Sequence, residues 1–552
     1  MKHTKKLASL LLALALAFAL AVPAFAAGET YSITINNATP GHTYEAYQIF
    51  TGDLADSTLS NIKWGSGVSG AGQAALGKAA DKASSITTAD GAAAFAKDVD
   101  NYLTTAAGST NTVSNGVYVI SNLAPGYYLI KDKDNSLTNK ENEFYTRYIL
   151  EVVKDVTVTP KGDIPKTEKK IVEDDNKVDV NEASIGDTVN YEITGTLPTN
   201  LIDYNTYYYV FTDTLSKGLT YNNDVKVTVD GKDLTSYFYK NATTYSETSG
   251  TTITVGIQDL LALSLLDGVN VTSSSKIVIT YSATLNKNAV IAGEGNPNDV
   301  KLTYSNNPND SGDGKATTQP PENPDKPTTS HPTGDTPEDT VVTYTTELTI
   351  LKNDGNHNIL IGAEFTLTGN SVNVVLVTTG KFVEDANESG EYWKLKDGTY
   401  TKTAPTSDTS DDYDNVDTKY KKTIELIAKG TGMTETTVVG KVDSETGTVT
   451  FTGLGAGTYT ITETKTPAGY NTIAPVTFTL TFNASTKTFG SDNNSIVVGA
   501  DNKLDTTIIN EAGAELPSTG GMGTTIFYVL GGVLMAGAAI LLVTKKKMSN
   551  EQ

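Results

Sequence analysis

Cysteine is absent from this 552-residue chain, and histidine and tryptophan are scarce, with four and two copies. The lack of cysteine excludes a disulfide framework, and so few histidines leave no credible zinc site, so neither a metal nor a cofactor is predicted. Positive charge is also in deficit. The formal net charge of −22 makes nucleic acid and anionic membrane surfaces poor partners. Leu-rich helical stretches are few, whereas Gly, Thr, Asn, Asp and Tyr abound, which favours strands and turns.

The N-terminus has the three parts of a secretory signal peptide. Lys2, Lys5 and Lys6 precede the apolar run 7–21, and Ala24-Phe25-Ala26 supplies small residues at the cleavage positions. We therefore predict a cleaved signal peptide over residues 1–26. The alternative is an uncleaved membrane anchor, which the shortness of the run disfavours.

A second apolar run, Ile526–Val543, lies near the C-terminus and is just long enough for a bilayer core of about 30 Å. Lys545, Lys546 and Lys547 follow it directly and should stay on the cytoplasmic side. The sequence therefore predicts a transmembrane segment that leaves the rest of the chain outside the cell.

Between these ends, composition divides the chain into regions. Region one (28–161) has strand patterns and an Ala-rich stretch, 71–103, predicted to be helical. Region two (162–308) and region three (341–512) show short alternating strands with Gly, Asn and Asp turns, and the Pro- and Thr-rich stretch 309–340 is predicted as an extended linker. The predicted fold class is all-β, with tandem immunoglobulin-like β-sandwich domains in an elongated rod.

A weak internal repeat links the first and third regions. Residues 122–132 (NLAPGYYLIKD) parallel residues 453–463 (GLGAGTYTITE). The two regions are therefore predicted to share a sandwich type, although two copies are too few for a solenoid.

A sorting pentapeptide stands immediately before the predicted span: Leu516, Pro517, Ser518, Thr519 and Gly520. Pentapeptide, span and lysine tail, in that order, resemble the LPXTG cell-wall sorting signal. That resemblance implies cleavage by a sortase between Thr519 and Gly520, followed by transfer of the Thr519 carboxyl to an amine. The alternative is a single-pass membrane protein in which the match to the sorting pentapeptide is accidental.

The end of region one resembles the pilin motif of sortase-assembled shafts, in which a Val-x-Val-x-Pro-Lys segment presents the acceptor amine. The match covers four positions: Val156, Val158, Pro160 and Lys161. The Tyr that usually precedes the Pro is replaced by Thr159, and the usual following Asn by Gly162. Lys161 is the predicted intersubunit acceptor because aminolysis of an acyl-enzyme needs a reachable amine on a restrained segment. The alternative is an ordinary solvated lysine.

In region three, Tyr459–Tyr470 (YTITETKTPAGY) resembles the pilin E-box of Cna-B type sandwiches, which form a spontaneous Lys–Asn isopeptide bond. The resemblance places the lysine on the first strand and the asparagine on the last. The implied triad is Lys352, Asn510 and the acid Glu463. A buried lysine is pushed towards its neutral form and a buried acid towards its protonated form, which suits this chemistry. The alternative is a simple Lys–Glu ion pair with Asn510 as a capping residue.

Region two resembles the D2-type isopeptide domain of shaft pilins at residues 185–191, 211–221 and 298–308. The implied bond joins Lys169 to Asn298, with Asp213 as the acid. Asn298 shares the inward face of its strand with alternate apolar residues. Lys170, which faces oppositely, and Asn306, which shares the inward parity, stay open as alternatives.

Region one resembles the N-terminal assembly domain of shaft pilins and has no lysine at the matching place. Asp132 occupies the position of the acid without an evident partner, so no internal bond is predicted there. An acidic loop, 408–417, could bind calcium, but a solvated loop is the favoured interpretation.

The resemblance as a whole is to sortase-assembled major pilins of Gram-positive bacteria, of the Spa type with Cna-A/Cna-B type domains. It implies a structural subunit, not an enzyme, of a secreted, peptidoglycan-anchored surface pilus that supports adhesion. The implied partners are a pilus-specific and a housekeeping sortase, further copies of the chain, tip and base pilins, and peptidoglycan. The alternatives are a monomeric wall-anchored adhesin, which would not need Lys161, and an enzyme on a sandwich stalk, for which no catalytic constellation stands out.

Overall fold

The computed structural model describes residues 28–37, 39–137, 144–160, 162–312, 316–369, 374–385, 390–428, 438–443 and 446–513, with positions 531, 534, 535 and 538. Strands dominate these residues, and the three α-helices found between residues 28 and 513 all lie in region one, which confirms the all-β fold class. Short 3-10 turns occur at Leu201–Asp203, Thr235–Tyr237, Leu260–Leu265 and Ser410–Asp412.

No helix within these ranges is long and apolar enough to cross a membrane. The predicted span, Ile526–Val543, lies outside the described residues apart from Gly531, Leu534, Met535 and Ala538, which are helical. The predicted signal peptide also lies outside them.

Region one contains eight strands and the predicted helical stretch, which is confirmed as three short helices. One sheet has the order β5-β1-β8, and the other has the order β3-β2-β6-β7 with β4 paired to β2. In chain order the elements are β1 Tyr31–Asn36, β2 Tyr44–Ala55, β3 Thr58–Trp64, α1 Gly70–Leu76, α2 Ala79–Ser85, α3 Ala89–Asp100, β4 Gly108–Thr110, β5 Val117–Leu123, β6 Gly126–Asp132, β7 Arg147–Val152 and β8 Val156–Val158.

Strand β6 is buried along its whole length because it has a core on each face. Ile130 and Tyr128 join one apolar cluster with the β5-β1-β8 sheet, whereas Leu129 and Tyr127 join a second cluster with Phe95 of α3. The helices therefore cover the face of the sheet that a simple sandwich would leave to solvent.

Region two is a sandwich of two mainly antiparallel sheets, of order β10-β9-β12-β19-β15-β16 with β14 on β19, and β11-β22-β20-β13-β18-β17 with β21 on β20. The strands are β9 Thr167–Glu173, β10 Asn176–Val178, β11 Val180–Glu182, β12 Thr188–Gly195, β13 Tyr209–Leu215, β14 Leu219–Tyr221, β15 Lys226–Val229, β16 Lys232–Asp233, β17 Tyr239–Ala242, β18 Thr251–Ile257, β19 Ile277–Leu285, β20 Asn296–Ser305, β21 Thr333–Asp335 and β22 Asp339–Tyr344.

Region three has sheets of order β28-β25-β30-β23-β35-β34 and β29-β24-β31-β32-β33, and a short pair, β26-β27. Its first strand, β23, lies parallel to its last strand, β35. The strands are β23 Thr346–Asp354, β24 Glu364–Gly369, β25 Val374–Glu384, β26 Trp393–Lys394, β27 Tyr400–Thr401, β28 Tyr420–Ala428, β29 Val438–Lys441, β30 Thr448–Leu454, β31 Gly457–Lys465, β32 Val476–Asn483, β33 Thr488–Ser491, β34 Val497–Val498 and β35 Leu504–Asn510.

The compact units of the chain differ from the predicted domains in two respects. Regions one and two belong to one unit, which ends at Val342, and a second unit holds Glu182–Asp187, Leu285–Gly295 and the chain from Thr343 onwards. Backbone and side-chain hydrogen bonds join region one to region two: Tyr145 N donates to Asn306 O at 2.9 Å, and Arg147 Nη2 donates to Asp203 O at 2.6 Å.

The prediction of an extended linker over 309–340 is wrong for its last part. Thr333–Asp335 forms β21 and pairs antiparallel with β20, and Asp339–Tyr344 forms β22 in the same sheet. Thr333, Gly334 and Asp335 supply the backbone donors and acceptors that the edge of β20 would otherwise lack. The described residues between Ser305 and Thr333 contain no strand, as expected of a Pro-rich segment.

Candidate isopeptide sites

The structure brings together the predicted triad of region two at the centre of its sandwich. Lys169 lies on β9 in one sheet, and Asp213 on β13 and Asn298 on β20 lie in the other. Lys169 Nζ donates to Asn298 Oδ1 at 2.5 Å and is also hydrogen-bonded to Asp213 Oδ2. Alternate residues of β20 are buried, so Asn298 points inwards as its parity predicted.

Burial controls the protonation of this cluster. Lys169 and Asn298 are completely buried, and Asp213 is only 2% exposed. Desolvation lowers the pKa of Lys169 and raises the pKa of Asp213, although each opposes the shift of the other through its charge. A neutral amine next to a protonated acid is the state that nucleophilic attack on an amide requires.

The alternatives left open by the sequence are placed elsewhere. Lys170 is a quarter exposed, and its Nζ contacts Asp179 Oδ1 at 2.6 Å. Asn306 is buried, but its backbone carbonyl accepts from Tyr145, and among the described residues Lys169 Nζ is hydrogen-bonded to Asn298 and not to Asn306. The alternation along β9 turns the side chains of neighbouring lysines to opposite faces.

Sequence reasoning missed a fourth member of the cluster, Tyr281 on β19. Its hydroxyl donates to Asp213 Oδ1 at 2.8 Å and accepts from Asn298 Nδ2 at 2.7 Å and from Lys169 Nζ at 3.0 Å. The sequence offered one signal for it: alternate residues of β19 face inwards, and Tyr281 is the one polar side chain on this otherwise aliphatic face. A hydroxyl that is predicted to be buried needs a polar partner.

In region three, the structure places Glu463 against Asn510. Asn510 Nδ2 donates to both carboxylate oxygens of Glu463, at 3.1 and 3.0 Å, and to Asn471 O at 2.8 Å. Glu463 also accepts from Ile473 N at 3.1 Å, which fixes its orientation. Asn510 Oδ1 has no hydrogen-bond partner in the described part of the chain.

Lys352 is completely buried on β23, next to the strand that carries Asn510. Its Nζ donates to Asn353 O at 3.0 Å and to Ile508 O at 3.2 Å, and within the described residues it makes no hydrogen bond to Asn510 or Glu463. Desolvation lowers the pKa of Lys352, against the opposing charge of Glu463. Lys352 and Asn510 are thus buried at one end of the β23–β35 strand pair, and the buried Glu463 lies on β31 of the other sheet. The amine of Lys352 is held by backbone carbonyls.

The internal repeat between regions one and three has a structural counterpart. Tyr128 on β6 donates from its hydroxyl to Ala124 O at 2.7 Å, and Tyr459 on β31 donates to Gly455 O at 2.6 Å, four residues upstream in both cases. In each strand the acid follows four residues after the tyrosine, as Asp132 in region one and Glu463 in region three.

The statement that Asp132 lacks a partner is wrong. His42 Nδ1 lies 2.7 Å from Asp132 Oδ1, and Thr146 donates to Oδ2 from its backbone at 2.8 Å and from its hydroxyl at 2.9 Å. His42 is in the loop before β2 and stacks on Tyr44 at a ring separation of 5.3 Å. In region one, therefore, the carboxyl group at the position of the acid is hydrogen-bonded by a histidine and a threonine.

The remaining predicted sites either lie outside the described residues or show no arrangement of ligands for a metal ion among the residues searched. Lys161 and the sorting pentapeptide 516–520 lie outside the described residues. In the acidic loop, Asp414 pairs with Lys394 at 2.9 Å, and the searched residues contain no group of three or more His, Asp or Glu placed to hold a metal ion.

Three family models match parts of the chain. Residues 509–550 match the LPXTG cell wall anchor motif, and residues 421–495 match the prealbumin-like fold domain of the SpaA family. The chain is therefore a cell-wall-anchored surface protein. Residues 185–308 match the Cna-B-like domain of Gram-positive pilin backbone subunit 2, so this anchored chain carries a domain of the backbone-pilin type.

The trypsin-resistant surface T6 protein of Streptococcus pyogenes serotype M6 is 26% identical over 398 residues, which cover 71% of this chain and 70% of the relative. The solved T6 backbone pilin gives a TM-score of 0.47 at 16% identity, over 88% of this chain and 99% of that one. The full-length major pilin SpaD of Corynebacterium diphtheriae gives a TM-score of 0.41 at 17% identity, over 88% and 98%. The assignment of the anchor motif and of the two domains rests on the family models.

Proposed function

We propose that the chain is polymerised head to tail by a pilus-specific sortase, which joins Thr519 of one copy to Lys161 of the next. A housekeeping sortase then attaches the polymer to peptidoglycan, with tip and base pilins at its ends. Support comes from the LPXTG match at 509–550 and from the Val-x-Val-x-Pro-Lys segment that ends region one. A subunit with both a donor end and an acceptor amine is a repeating unit of a polymer.

We further propose that two internal isopeptide bonds form spontaneously, Lys169–Asn298 in region two and Lys352–Asn510 in region three. The observation that carries this proposal is the buried contact between Lys169 Nζ and Asn298 Oδ1 at 2.5 Å, with Asp213 on the same amine. The alternative, a structural ion pair, does not account for an amide in direct contact with a buried lysine.

The chemistry follows from the environment of each cluster. A neutral lysine amine adds to the side-chain carbonyl carbon of the asparagine, the buried acid supplies a proton to the leaving nitrogen, and ammonia departs. Glu463 and Asp213 are the proposed acids, and each acts within its own chain, so the protein is a substrate of sortase and not itself an enzyme in the turnover sense.

The test of polymerisation is a denaturing blot of cell-wall extracts from cells that express the full chain, its Lys161→Ala variant, or Lys166→Ala as a matched control. We expect a ladder of high-mass species in wild type and Lys166→Ala and a collapse to monomer in Lys161→Ala. A ladder that survives in Lys161→Ala would assign the acceptor to another lysine. Monomer alone in wild type would favour a wall-anchored adhesin.

A further inference from the structure

Tyr281 connects the three groups that the proposed cross-link of region two must bring into reaction. Its hydroxyl contacts the amine of Lys169 at 3.0 Å, the amide nitrogen of Asn298 at 2.7 Å and the carboxyl of Asp213 at 2.8 Å. The contact with Asn298 is at Nδ2, the atom that has to leave as ammonia.

Region three shows why a hydroxyl is needed at this point. There the acid is a glutamate, and both carboxylate oxygens contact Asn510 Nδ2 directly, at 3.0 and 3.1 Å. In region two the acid is an aspartate, which is one methylene shorter. Among the described hydrogen bonds, Asp213 contacts Lys169 and Tyr281, and the contact with Asn298 Nδ2 belongs to Tyr281.

We propose that Tyr281 is a catalytic residue of the Lys169–Asn298 cross-link, whose hydroxyl relays a proton from Asp213 to the departing nitrogen of Asn298. This inference rests on the proposed function, because it assumes that the bond forms. It assigns to one aspartate and one tyrosine the work that Glu463 does alone in region three.

The step balances in atoms and protons. The lone pair of Lys169 Nζ forms a bond to Asn298 Cγ, and the carbon becomes tetrahedral. Asp213 gives its proton to the oxygen of Tyr281 while Tyr281 gives its own proton to Nδ2, the Cγ–Nδ2 bond breaks, and ammonia leaves. The Asp213 carboxylate then takes a proton from Nζ. Asp213 and Tyr281 end as they began, and the products are one amide and one ammonia.

The hydrogen bond from Asn298 to Tyr281 fits this sequence, and the one between Tyr281 and Asp213 reverses its direction when the protonated carboxyl donates. Before attack, the amide nitrogen can only donate, and it donates to the Tyr281 hydroxyl. Once Cγ is tetrahedral, Nδ2 regains a basic lone pair and becomes an acceptor, so the hydroxyl already in place can turn its proton towards it. Burial raises the pKa of Tyr281 well above its ordinary value, which keeps the hydroxyl protonated until then.

Packing holds the hydroxyl in position. The Tyr281 ring stacks on Tyr191 at a centroid separation of 5.2 Å and meets Tyr221 edge-on at 5.8 Å. The rings of Tyr191 and Tyr281 both lie 5.5 Å from Lys169 Nζ. Tyr191 is therefore a matched control, since its ring faces the same amine but its hydroxyl is not among the contacts of Asp213 or Asn298 described above.

The experiment follows bond formation in the full chain, made by cell-free translation and quenched in denaturant at intervals. Mass spectrometry of tryptic digests quantifies the peptide that joins Lys169 to Asn298 and, in the same samples, the peptide that joins Lys352 to Asn510. We expect Tyr281→Phe to slow the first bond by about 100-fold and to leave the second unchanged. Tyr191→Phe should form both at the wild-type rates.

A rescue separates the relay from mere packing. Tyr281→Phe removes one oxygen and Asp213→Glu adds one methylene, so the double variant gives the acid a direct reach to Nδ2, as in region three. We expect it to recover at least about tenfold of the lost rate.

An unchanged rate for the first bond in Tyr281→Phe, equal slowing of both bonds, or no recovery in the double variant would overturn the relay. Absence of the Lys169–Asn298 peptide in wild type would instead remove the proposed cross-link itself.

Discussion

Lys169 and Asn298 are 129 positions apart in the chain, yet the amine of one lies 2.5 Å from the side-chain oxygen of the other inside a sandwich without water-accessible surface at either residue. This relationship connects the first strand of region two to a strand near its end. The consequences of the contact, and of its counterparts in the other regions, can be measured one residue at a time.

Replacing Lys169 should prevent the cross-link of region two and cost stability. We expect Lys169→Ala to retain the ammonia that wild type loses. Closing a loop of this length is worth about 5 kcal/mol in the chain-entropy account, so the thermal transition should fall markedly. Intact mass and calorimetry of the full chain check both effects. Lys170→Ala is the matched control and should keep the wild-type loss of ammonia, and a result in which Lys170→Ala alone retains the ammonia would transfer the bond to that lysine.

Replacing Glu463 with its neutral isostere should block the cross-link of region three. The amide introduced by Glu463→Gln would keep an oxygen for Ile473 N but cannot release a proton to the leaving nitrogen, so we expect bond formation to slow by about 100-fold or more. Quantification of the Lys352–Asn510 peptide over time measures the effect. Glu364→Gln, on the neighbouring β24, is the control. A wild-type rate in Glu463→Gln would exclude that side chain as the acid.

Removing His42 should destabilise region one without any change in cross-linking. We expect His42→Ala to cost about 2 kcal/mol, because it strips a partner from a buried carboxyl. His331 offers a matched control, since its Nδ1 also lies 2.7 Å from a carboxylate oxygen, of Asp310, but both side chains are more than a third exposed. His331→Ala should cost less than about 0.5 kcal/mol. Calorimetric transitions compare the two, and equal losses would contradict a special role for burial.

Asp203 should make the unit that holds regions one and two less stable as the pH rises towards neutrality. Burial raises the pKa of Asp203 to about 6, against the opposing charge of Arg147. Between about pH 3.9, the ordinary pKa of an aspartate, and about pH 6, the folded protein holds a proton on Asp203 that the unfolded chain releases. The stabilisation that this proton gives to the folded state, in total about 3 kcal/mol, is therefore lost as the pH rises through about 6.

Asp203→Asn should abolish that part of the pH dependence. The difference in transition temperature between wild type and variant, followed from about pH 4 to about pH 7, isolates this group. Asp267→Asn, at an exposed position, should follow wild type. Parallel curves for wild type and Asp203→Asn would mean that Asp203 titrates normally in the folded protein.

Local pattern was enough to predict most of the fold and several of the site residues. The alternation along β20 turned Asn298 inwards, and the alternation along β9 separated Lys169 from Lys170. Both conclusions depend only on the two-residue period of a strand, which a single sequence displays. The Ala-rich stretch of region one is helical for the same kind of local reason.

What the sequence could not supply was contact between sheets. Tyr281 meets Asp213, and His42 meets Asp132, across distances of 68 and 90 positions, and those meetings depend on how two sheets or a loop and a sheet pack together. The pairing of β21 with β20 was hidden for a different reason. Proline and threonine dominate that stretch, and the pairing partner, not the composition, decides that its last part forms strands.

The pairing of β21 and β22 with β20 acquires a mechanical meaning once the proposed bonds are in place. Tension on the polymer would enter at Lys161, pass through Lys169 to Asn298, follow the backbone to Lys352, and leave through Asn510 and Thr519. The other strands of each sandwich would not lie on the covalent path that bears this tension. Region one, upstream of Lys161, would carry no load. The loaded backbone between Asn298 and Lys352 contains β21 and β22, whose hydrogen bonds to neighbouring strands would break under tension and re-form when it is released. This segment would therefore extend reversibly and dissipate mechanical energy, whereas the covalently bridged parts of the polymer would not extend.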